Sequence, residues 1–159
     1  MPRLTLITVA CAAIISAVAF VGISGAQQVG PPTATLELVS LDRETRFKFV
    51  DNAPRSNPER PSPGDLAIIT SRLRDSANRR AGKVYAVFMR LAGRKRFVDQ
   101  VRGTFRLSGG HIVVEGIVAG GRRDNVAVTG GTGRYAGARG TLQVTSSRKG
   151  ARFRFTFIG

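Results

Sequence analysis

Residues 96–107 read RFVDQVRGTFRL, and apolar side chains recur along this stretch with a period of two residues. The apolar residues that share one face are Phe97, Val101, Phe105 and Leu107. The opposite face carries Arg, Gln and Thr. This period is that of a β-strand with one face toward a core and the other toward water. Residues 152–157 (RFRFTF) repeat the pattern with three Phe on one side, so both stretches are predicted to be strands.

Similar but less strict runs fill most of the remaining chain, separated by glycine-rich turns such as Gly109-Gly110 and Gly120-Gly121. The predicted strands cover residues 34–41, 44–50, 65–72, 82–91, 111–119, 125–129 and 139–146. Nine short strands without a convincing amphipathic helix indicate an all-β fold, either an antiparallel barrel or a β-sandwich. A closed barrel is favoured because it leaves fewer unpaired strand edges.

The composition limits the protein to one basic globular domain. Its 159 residues contain 25 Lys and Arg against 10 Asp and Glu, for a net charge of +15, and 42% are hydrophobic. That hydrophobic content excludes a disordered basic tail. A single Cys and a single His exclude a disulfide framework and a multi-ligand metal site. We therefore expect no bound metal.

Residues 1–26 have the three parts of a secretory signal peptide. Arg3 precedes an apolar stretch over residues 4–23, and Ser24-Gly25-Ala26 supplies small residues before a cleavage site. We expect cleavage after Ala26 and a secreted, extracellular protein with no stable membrane span; an uncleaved anchor helix is the alternative. Cleavage would remove Cys11 and leave a short linker, residues 27–33, before a barrel domain over residues 34–159.

Residues 52–64 contain four prolines in thirteen positions, which is incompatible with a central strand or a helix. We predict a long surface loop, with either a functional or a merely connecting role.

Residues 128–137 (VTGGTGRYAG) superficially resemble a dinucleotide-binding glycine loop. That loop needs a following helix and a second βα unit, whereas the 22 residues after Gly137 alternate as strands. We therefore predict a tight turn whose glycines adopt positive φ.

Residues 130–140 (GGTGRYAGARG) resemble the GGTGxFRxARG signature of plant dirigent proteins and their bacterial relatives of the allene oxide cyclase barrel type. A more diffuse similarity covers residues 44–146 in order. The resemblance implies an eight-stranded antiparallel β-barrel with a central cavity, no cofactor, and assembly as a homodimer or homotrimer. Arg134, where lignan-forming members often have an acid, and Ala136, in place of Arg, depart from the pattern and weaken the transfer of a specific dirigent reaction.

Three residues match family positions best, and the resemblance implies site roles for them. Asp65 would act as an acid or base, with capping of the proline-rich loop as the alternative. Arg139 would stabilise an enolate or phenolate, or instead form an ion pair with a carboxylate such as Asp65 or Asp99. Tyr135 would contact ligand, or pack beneath the glycine turn.

Two further candidates come from the strand pattern itself. Asp99 interrupts the apolar face of residues 96–107, and a polar cavity is a physical reason to keep an acid there. Tyr85 alternates with Val87 and Met89, which predicts a core residue or a hydroxyl on the cavity wall. The candidate catalytic residues are therefore Asp65, Asp99 and Arg139, and the candidate ligand contacts are Tyr85 and Tyr135.

Two functions remain open. The first is a secreted barrel that binds a small hydrophobic or phenolic molecule, with or without catalysing its coupling or cyclisation. The second is a non-enzymatic module that binds acidic polymers or a partner protein through its basic residues. We expect these basic residues, which include Arg90, mostly at turns and on outward strand faces. Nucleic acid is not expected, because the aromatic residues are predicted on the opposite strand face and we expect the protein to be exported. An open cavity containing the candidate residues would favour the first function.

Overall fold

The computed structural model describes residues 34–52, 61–92 and 97–158, which form nine β-strands and two short 3₁₀ helices. The strands are β1 (Ala34–Leu41), β2 (Thr45–Val50), β3 (Leu66–Arg74), β4 (Arg80–Ala92), β5 (Val98–Leu107), β6 (Gly110–Val118), β7 (Arg123–Gly131), β8 (Arg139–Ser147) and β9 (Gly150–Ile158). The 3₁₀ helices are Asp42–Glu44 and Gly133–Tyr135. No helix within these ranges is long and apolar enough to cross a membrane. The predicted signal peptide, the linker at 27–33 and residues 53–60 of the proline-rich loop lie outside the described residues.

The strands form one antiparallel sheet that closes on itself. From β2 to β9 each strand pairs with the next along the chain, and β1 pairs with β9. β1 also pairs with β3 through Val39 opposite Arg74, which closes a barrel of eight strands. β2 is an additional strand that pairs with β3 beyond this point. The prediction of an eight-stranded antiparallel barrel is confirmed, with one strand added, and the sandwich alternative does not apply.

Side-chain alternation explains the positions of the strands, because each predicted strand lies within two residues of the observed one at both ends. In β5, Val101, Gly103 and Phe105 face inward and are buried, whereas Arg102 and Arg106 face solvent. The same arrangement around the barrel places the apolar face of each strand on a common interior.

One end of the barrel, which we call the closed end, is filled by side chains. It contains the β3–β4, β5–β6 and β7–β8 connections. Six large, almost fully buried side chains pack in this half of the interior and form what we call the floor cluster: Leu38, Leu73, Phe105, Ile112, Leu142 and Phe155. The Phe105 ring meets those of Phe153 and Phe155 edge to face, with centroids 5.1 and 4.9 Å apart.

The glycine signature at residues 130–140 lies at the closed end. Gly133 and Gly137 have φ angles of 60° and 76°, so the predicted turn with positive-φ glycines is confirmed. The Arg134 N–H donates to the Gly109 carbonyl at 2.9 Å, which fastens this turn to the β5–β6 turn. A side chain at Gly133 would collide with that same carbonyl. The signature therefore attaches the β7–β8 connection to the β5–β6 turn at the closed end.

Candidate functional site

The other half of the barrel contains a cavity of about 510 Å³. It opens at the end that carries the β4–β5, β6–β7 and β8–β9 connections, which we call the open end. Its wall is mainly apolar and includes Val84, Phe88, Val101, Val126 and Val144, while Phe105 and Phe153 form its bottom. This volume lies within the range of about 300–1,000 Å³ that is typical of small-molecule sites.

Small residues at mid-height keep this space open. Ala86 on β4 lies directly opposite Gly103 on β5, and both line the cavity. A Cβ atom at Gly103 would lie 3.1 Å from Val114 Cγ2, so the wall is already closely packed behind it. A larger inward side chain at position 86 would therefore extend into the cavity.

An aspartate on the cavity wall near the open end pairs with an arginine that is not itself among the described lining residues. Asp99 lies on the cavity wall and is the strand partner of Arg90. The Arg90 Nε donates to Asp99 Oδ1, and its Nη2 donates to Oδ2 at 3.4 Å. The Phe97 ring covers the guanidinium, with its centroid 3.9 Å from Cζ. Both charged side chains are mostly buried, with 13% and 16% of their area exposed.

Two more carboxylates line the cavity toward its mouth. Asp124, at the start of β7, accepts the Ala119 N–H at 3.3 Å, and Asp42 belongs to the first 3₁₀ helix. Hydroxyls of Ser40, Thr45 and Ser71 occupy the same region. The polar part of the site is thus gathered at one end of an apolar chamber. Within the described ranges no group of three or more His, Cys, Asp or Glu side chains is arranged to hold a metal ion.

Asp65 is buried beside the open end but is not among the described residues that line the cavity. Its carboxylate accepts the Asn52 N–H at 3.0 Å and the Ser62 N–H at 2.6 Å. Its carbonyl accepts the Arg90 N–H at 2.9 Å. Asp65 therefore joins the two ends of the proline-rich loop, which is the capping role that the sequence left open.

The other three candidates lie away from the cavity. Arg139 is exposed near the closed end and donates to the carbonyls of Thr129 and Ala138 at 2.7 and 2.9 Å. Tyr135 lies in the second 3₁₀ helix and packs against the core beside the glycine turn. Tyr85 is 41% exposed on the outer face of β4. Of the five candidates, only Asp99 contributes to the cavity wall.

A known protein family matches most of the chain. The family model described as an allene oxide cyclase barrel-like domain matches residues 45–158. The chain belongs to this family.

Solved structures show the same allene oxide cyclase barrel-like fold at low sequence identity. A pyocyanin demethylase is 19% identical, has a TM-score of 0.64, and the match covers 79% of this chain and 99% of that one. An exo-specific intermolecular Diels–Alderase, AbnU, is 16% identical with a TM-score of 0.64, covering 80% and 98%. The pterocarpan synthase dirigent protein GePTS1 is 17% identical with a TM-score of 0.61, covering 82% and 86%. Comparison with curated protein sequences gives no match.

Two site residues of this allene oxide cyclase barrel-like protein, Arg90 and Asp124, are not evident from the sequence. Arg90 was expected on an outward face, but it points inward and pairs with Asp99. Its nearness to Asp99 follows from the β4–β5 register, which no local pattern reveals. Asp124 was not singled out, although it precedes Val126 and Val128, two buried residues, at the strand period of two.

Proposed function

We propose that this protein binds a small apolar or phenolic molecule in its barrel cavity and holds it in one orientation, which steers the coupling or cyclisation of that molecule. The observation that carries the proposal is the apolar chamber of about 510 Å³ with the Asp99 carboxylate in its wall. Export from the cell belongs to the same proposal and rests on the sequence of residues 1–26.

Asp99 is suited to orient a ligand rather than merely to contact it. Arg90 compensates its charge through two donors on one edge of the carboxylate. Because a carboxylate has about four acceptor positions, it can still accept a hydrogen bond from a ligand hydroxyl. Phe97 shields the guanidinium and also lines the cavity. Apolar walls would then hold the ligand skeleton while Asp99 fixes its polar end.

The described relatives support a reaction on a small molecule. A demethylase of pyocyanin, a Diels–Alderase and a pterocarpan synthase are named for chemistry on small organic compounds, and all three share this fold. One fold hosts many reactions, so these names support the class of ligand and leave its identity to experiment.

A pair of adjacent substitutions on β4 tests ligand binding in the cavity. Ala86→Phe places a ring inside the chamber, whereas Val87→Phe places the same ring on the outer face, where Val87 is already exposed. Thermal unfolding is followed while phenols, naphthalenes and flavonoids are added one by one. A ligand whose free concentration is about a hundred times its Kd raises the free energy of unfolding by roughly 2.7 kcal/mol. This corresponds to a rise in melting temperature of about 5–10 °C for a domain of this size.

We expect the wild-type protein and Val87→Phe to show this rise with the same compounds, and Ala86→Phe to lose it. Asp99→Asn should retain binding of apolar compounds and weaken the preference for those with a hydroxyl, because a neutral amide oxygen is a poorer acceptor than a carboxylate. A rise that survives in Ala86→Phe would place binding outside the barrel and contradict the proposal.

A second candidate function rests on a separate groove of about 480 Å³ on the outer face of β1, β9 and β8. Four cations line it, Arg123, Lys149, Arg152 and Arg154, against one acid, Glu37. Glu37 is paired with Arg154 at 3.7 Å, which leaves three cations in the groove without an acidic partner among the described residues. We propose this groove as the place where an acidic polymer would bind.

Binding to immobilised heparin or polygalacturonate tests this second candidate. The double variant Arg123→Ser/Arg152→Ser should elute at clearly lower salt than Arg102→Ser/Arg106→Ser, which removes two outward cations from β5. Equal elution of the two double variants would show that only net charge matters and would overturn the groove.

A further inference from the structure

The cavity has the opposite charge balance from the rest of the chain. Lys and Arg outnumber Asp and Glu by 25 to 10 in the sequence. Yet the described residues that line the cavity include three acids, Asp42, Asp99 and Asp124, and no Lys, Arg or His. If side-chain charge were distributed without regard to this chamber, its wall would carry more cations than anions. The described cavity wall is therefore acidic, although the chain as a whole is basic.

These three carboxylates are not equally compensated. Asp99 is paired with Arg90. Asp124 accepts one backbone N–H at 3.3 Å and forms no ion pair with any residue in the described ranges. Asp42 likewise has no ion-pair partner in that part of the chain, but it is exposed at the mouth. Asp124, which is half-buried, is thus the main source of uncompensated negative charge on the wall.

We propose that the cavity selects apolar ligands that carry a hydrogen-bond donor, preferably a protonated amine, and that Asp124 makes this selection. The inference rests on the proposed function, because it concerns what the same cavity binds. A protonated amine would donate to the carboxylate oxygen of Asp124 in a partly desolvated chamber, where a charge-assisted hydrogen bond is stronger than in water. The rings of Phe88 and Phe97 lie in the same wall and would pack against an aromatic skeleton.

A ligand with a carboxylate would meet the opposite situation. Its charge would lose water on entering the apolar chamber and would face Asp124 without a cation on the described wall to compensate it. The hydroxyl of Ser40 could donate to such a ligand but supplies no charge, and the hydroxyls of Thr45 and Ser71 are hydrogen-bonded to each other, with Thr45 also donating to the Leu41 carbonyl. Anionic ligands should therefore bind more weakly than neutral ones of the same shape.

The chain as a whole has a net charge of +15 and therefore a general positive field. Fields from solvated charges are screened within about 3 Å at 1 M salt, whereas a contact inside the cavity is screened much less. Binding is therefore measured at about 1 M salt as well as at physiological salt. The preference for protonated amines should persist at the higher salt concentration.

Three naphthalene probes of matched size test the proposal by isothermal titration calorimetry: 1-naphthylmethylamine in its protonated form, 1-naphthalenemethanol and 1-naphthoate. For the wild-type protein we expect the ammonium probe to bind about tenfold more tightly than the carboxylate, with the alcohol between them. Asp124→Asn keeps an acceptor for the Ala119 N–H, so it should preserve this turn while weakening binding of the ammonium probe and reducing the charge preference to about threefold or less.

Glu37→Gln is the matched control, because it alters net charge by the same amount but lies on the outer face of β1 with 48% of its side chain exposed. It should retain the tenfold preference. Equal affinities for the three probes, or a preference for naphthoate, would overturn this inference while leaving the cavity as a binding site. Failure of all three probes to bind, together with no effect of Ala86→Phe on the wider panel, would instead contradict the proposed function.

Discussion

Replacing Phe105 with alanine tests whether the closed half of the barrel is packed as the structure shows. Phe105 is only 2% exposed and contacts two other rings edge to face. Burial of a Phe side chain contributes about 1.5–3 kcal/mol, and each edge-to-face pair adds about 0.5–1.5 kcal/mol. The sum agrees with the 3–5 kcal/mol that a buried Phe→Ala change typically costs. We therefore expect Phe105→Ala to lower the free energy of unfolding by about 4 kcal/mol.

Urea unfolding followed by far-ultraviolet circular dichroism measures this loss. With an m-value of about 2 kcal/mol per molar, the midpoint should fall by about 2 M. Phe47→Ala is the control, because Phe47 is 63% exposed and its removal should cost no more than about 0.5 kcal/mol. If Phe105→Ala does not fold, Phe105→Leu should still unfold with a loss of about 1–2 kcal/mol. A loss no larger than that of Phe47→Ala would refute a packed floor cluster.

Three further experiments test other parts of the fold. Gly137→Ala should lower the free energy of unfolding by about 1 kcal/mol, because alanine is strained at its positive φ although no atom lies within 4 Å of the added Cβ. Gly133→Ala should lower it clearly more, because its Cβ would also collide with the Gly109 carbonyl. Thermal unfolding compares the two variants, and equal losses would contradict the attachment of this turn to the β5–β6 turn. A hydrogen bond from Arg74 lowers the pKa of Glu44 below its ordinary value of 4.5. The stabilisation of the fold by this ion pair is therefore fully present above pH 4.5 and is lost as the pH falls through the lowered pKa. The melting temperature of Glu44→Gln should therefore fall less than that of the wild type between neutral pH and about pH 3, and parallel curves would exclude this pair as a source of acid sensitivity. Asp65→Ala should speed amide hydrogen exchange at the N–H groups of Asn52 and Ser62 while leaving the barrel's circular dichroism spectrum intact, and unchanged exchange rates would show that Asp65 does not hold these two groups.

The strands could be predicted because alternation is a local property of the sequence. In residues 152–157 of β9, and in β5 apart from Val98 and Asp99, the apolar and charged residues lie on opposite faces, so both the strand and its inward face follow from the pattern. In β4 the run KVYAVFMRL is apolar at odd and even positions alike. The pattern therefore predicts a strand there but not its inward face, and Tyr85 lies outside while Val84, Ala86 and Phe88 lie inside.

The site was harder to predict because it is assembled across strands. Asp99 could be recognised as an acid on an apolar face, but its partner Arg90 is defined by pairing between β4 and β5. The signature that carries the family resemblance lies at the closed end, so Tyr135 and Arg139 are separated from Asp99 by the packed floor cluster. Which candidate residues share a chamber depends on barrel closure, which the pairing of Val39 on β1 with Arg74 on β3 completes.

Methyl NMR of the protein during titration with the naphthalene ammonium probe tests ligand binding inside the barrel most directly. Val84 and Val101 are buried in the cavity wall, whereas Val87 is exposed on the outer face of the same sheet. We predict that the methyl resonances of Val84 and Val101 shift with the probe and saturate together, while those of Val87 stay in place. Shifts at Val87 with no change at Val84 and Val101 would show that the ligand binds outside and would contradict a functional cavity.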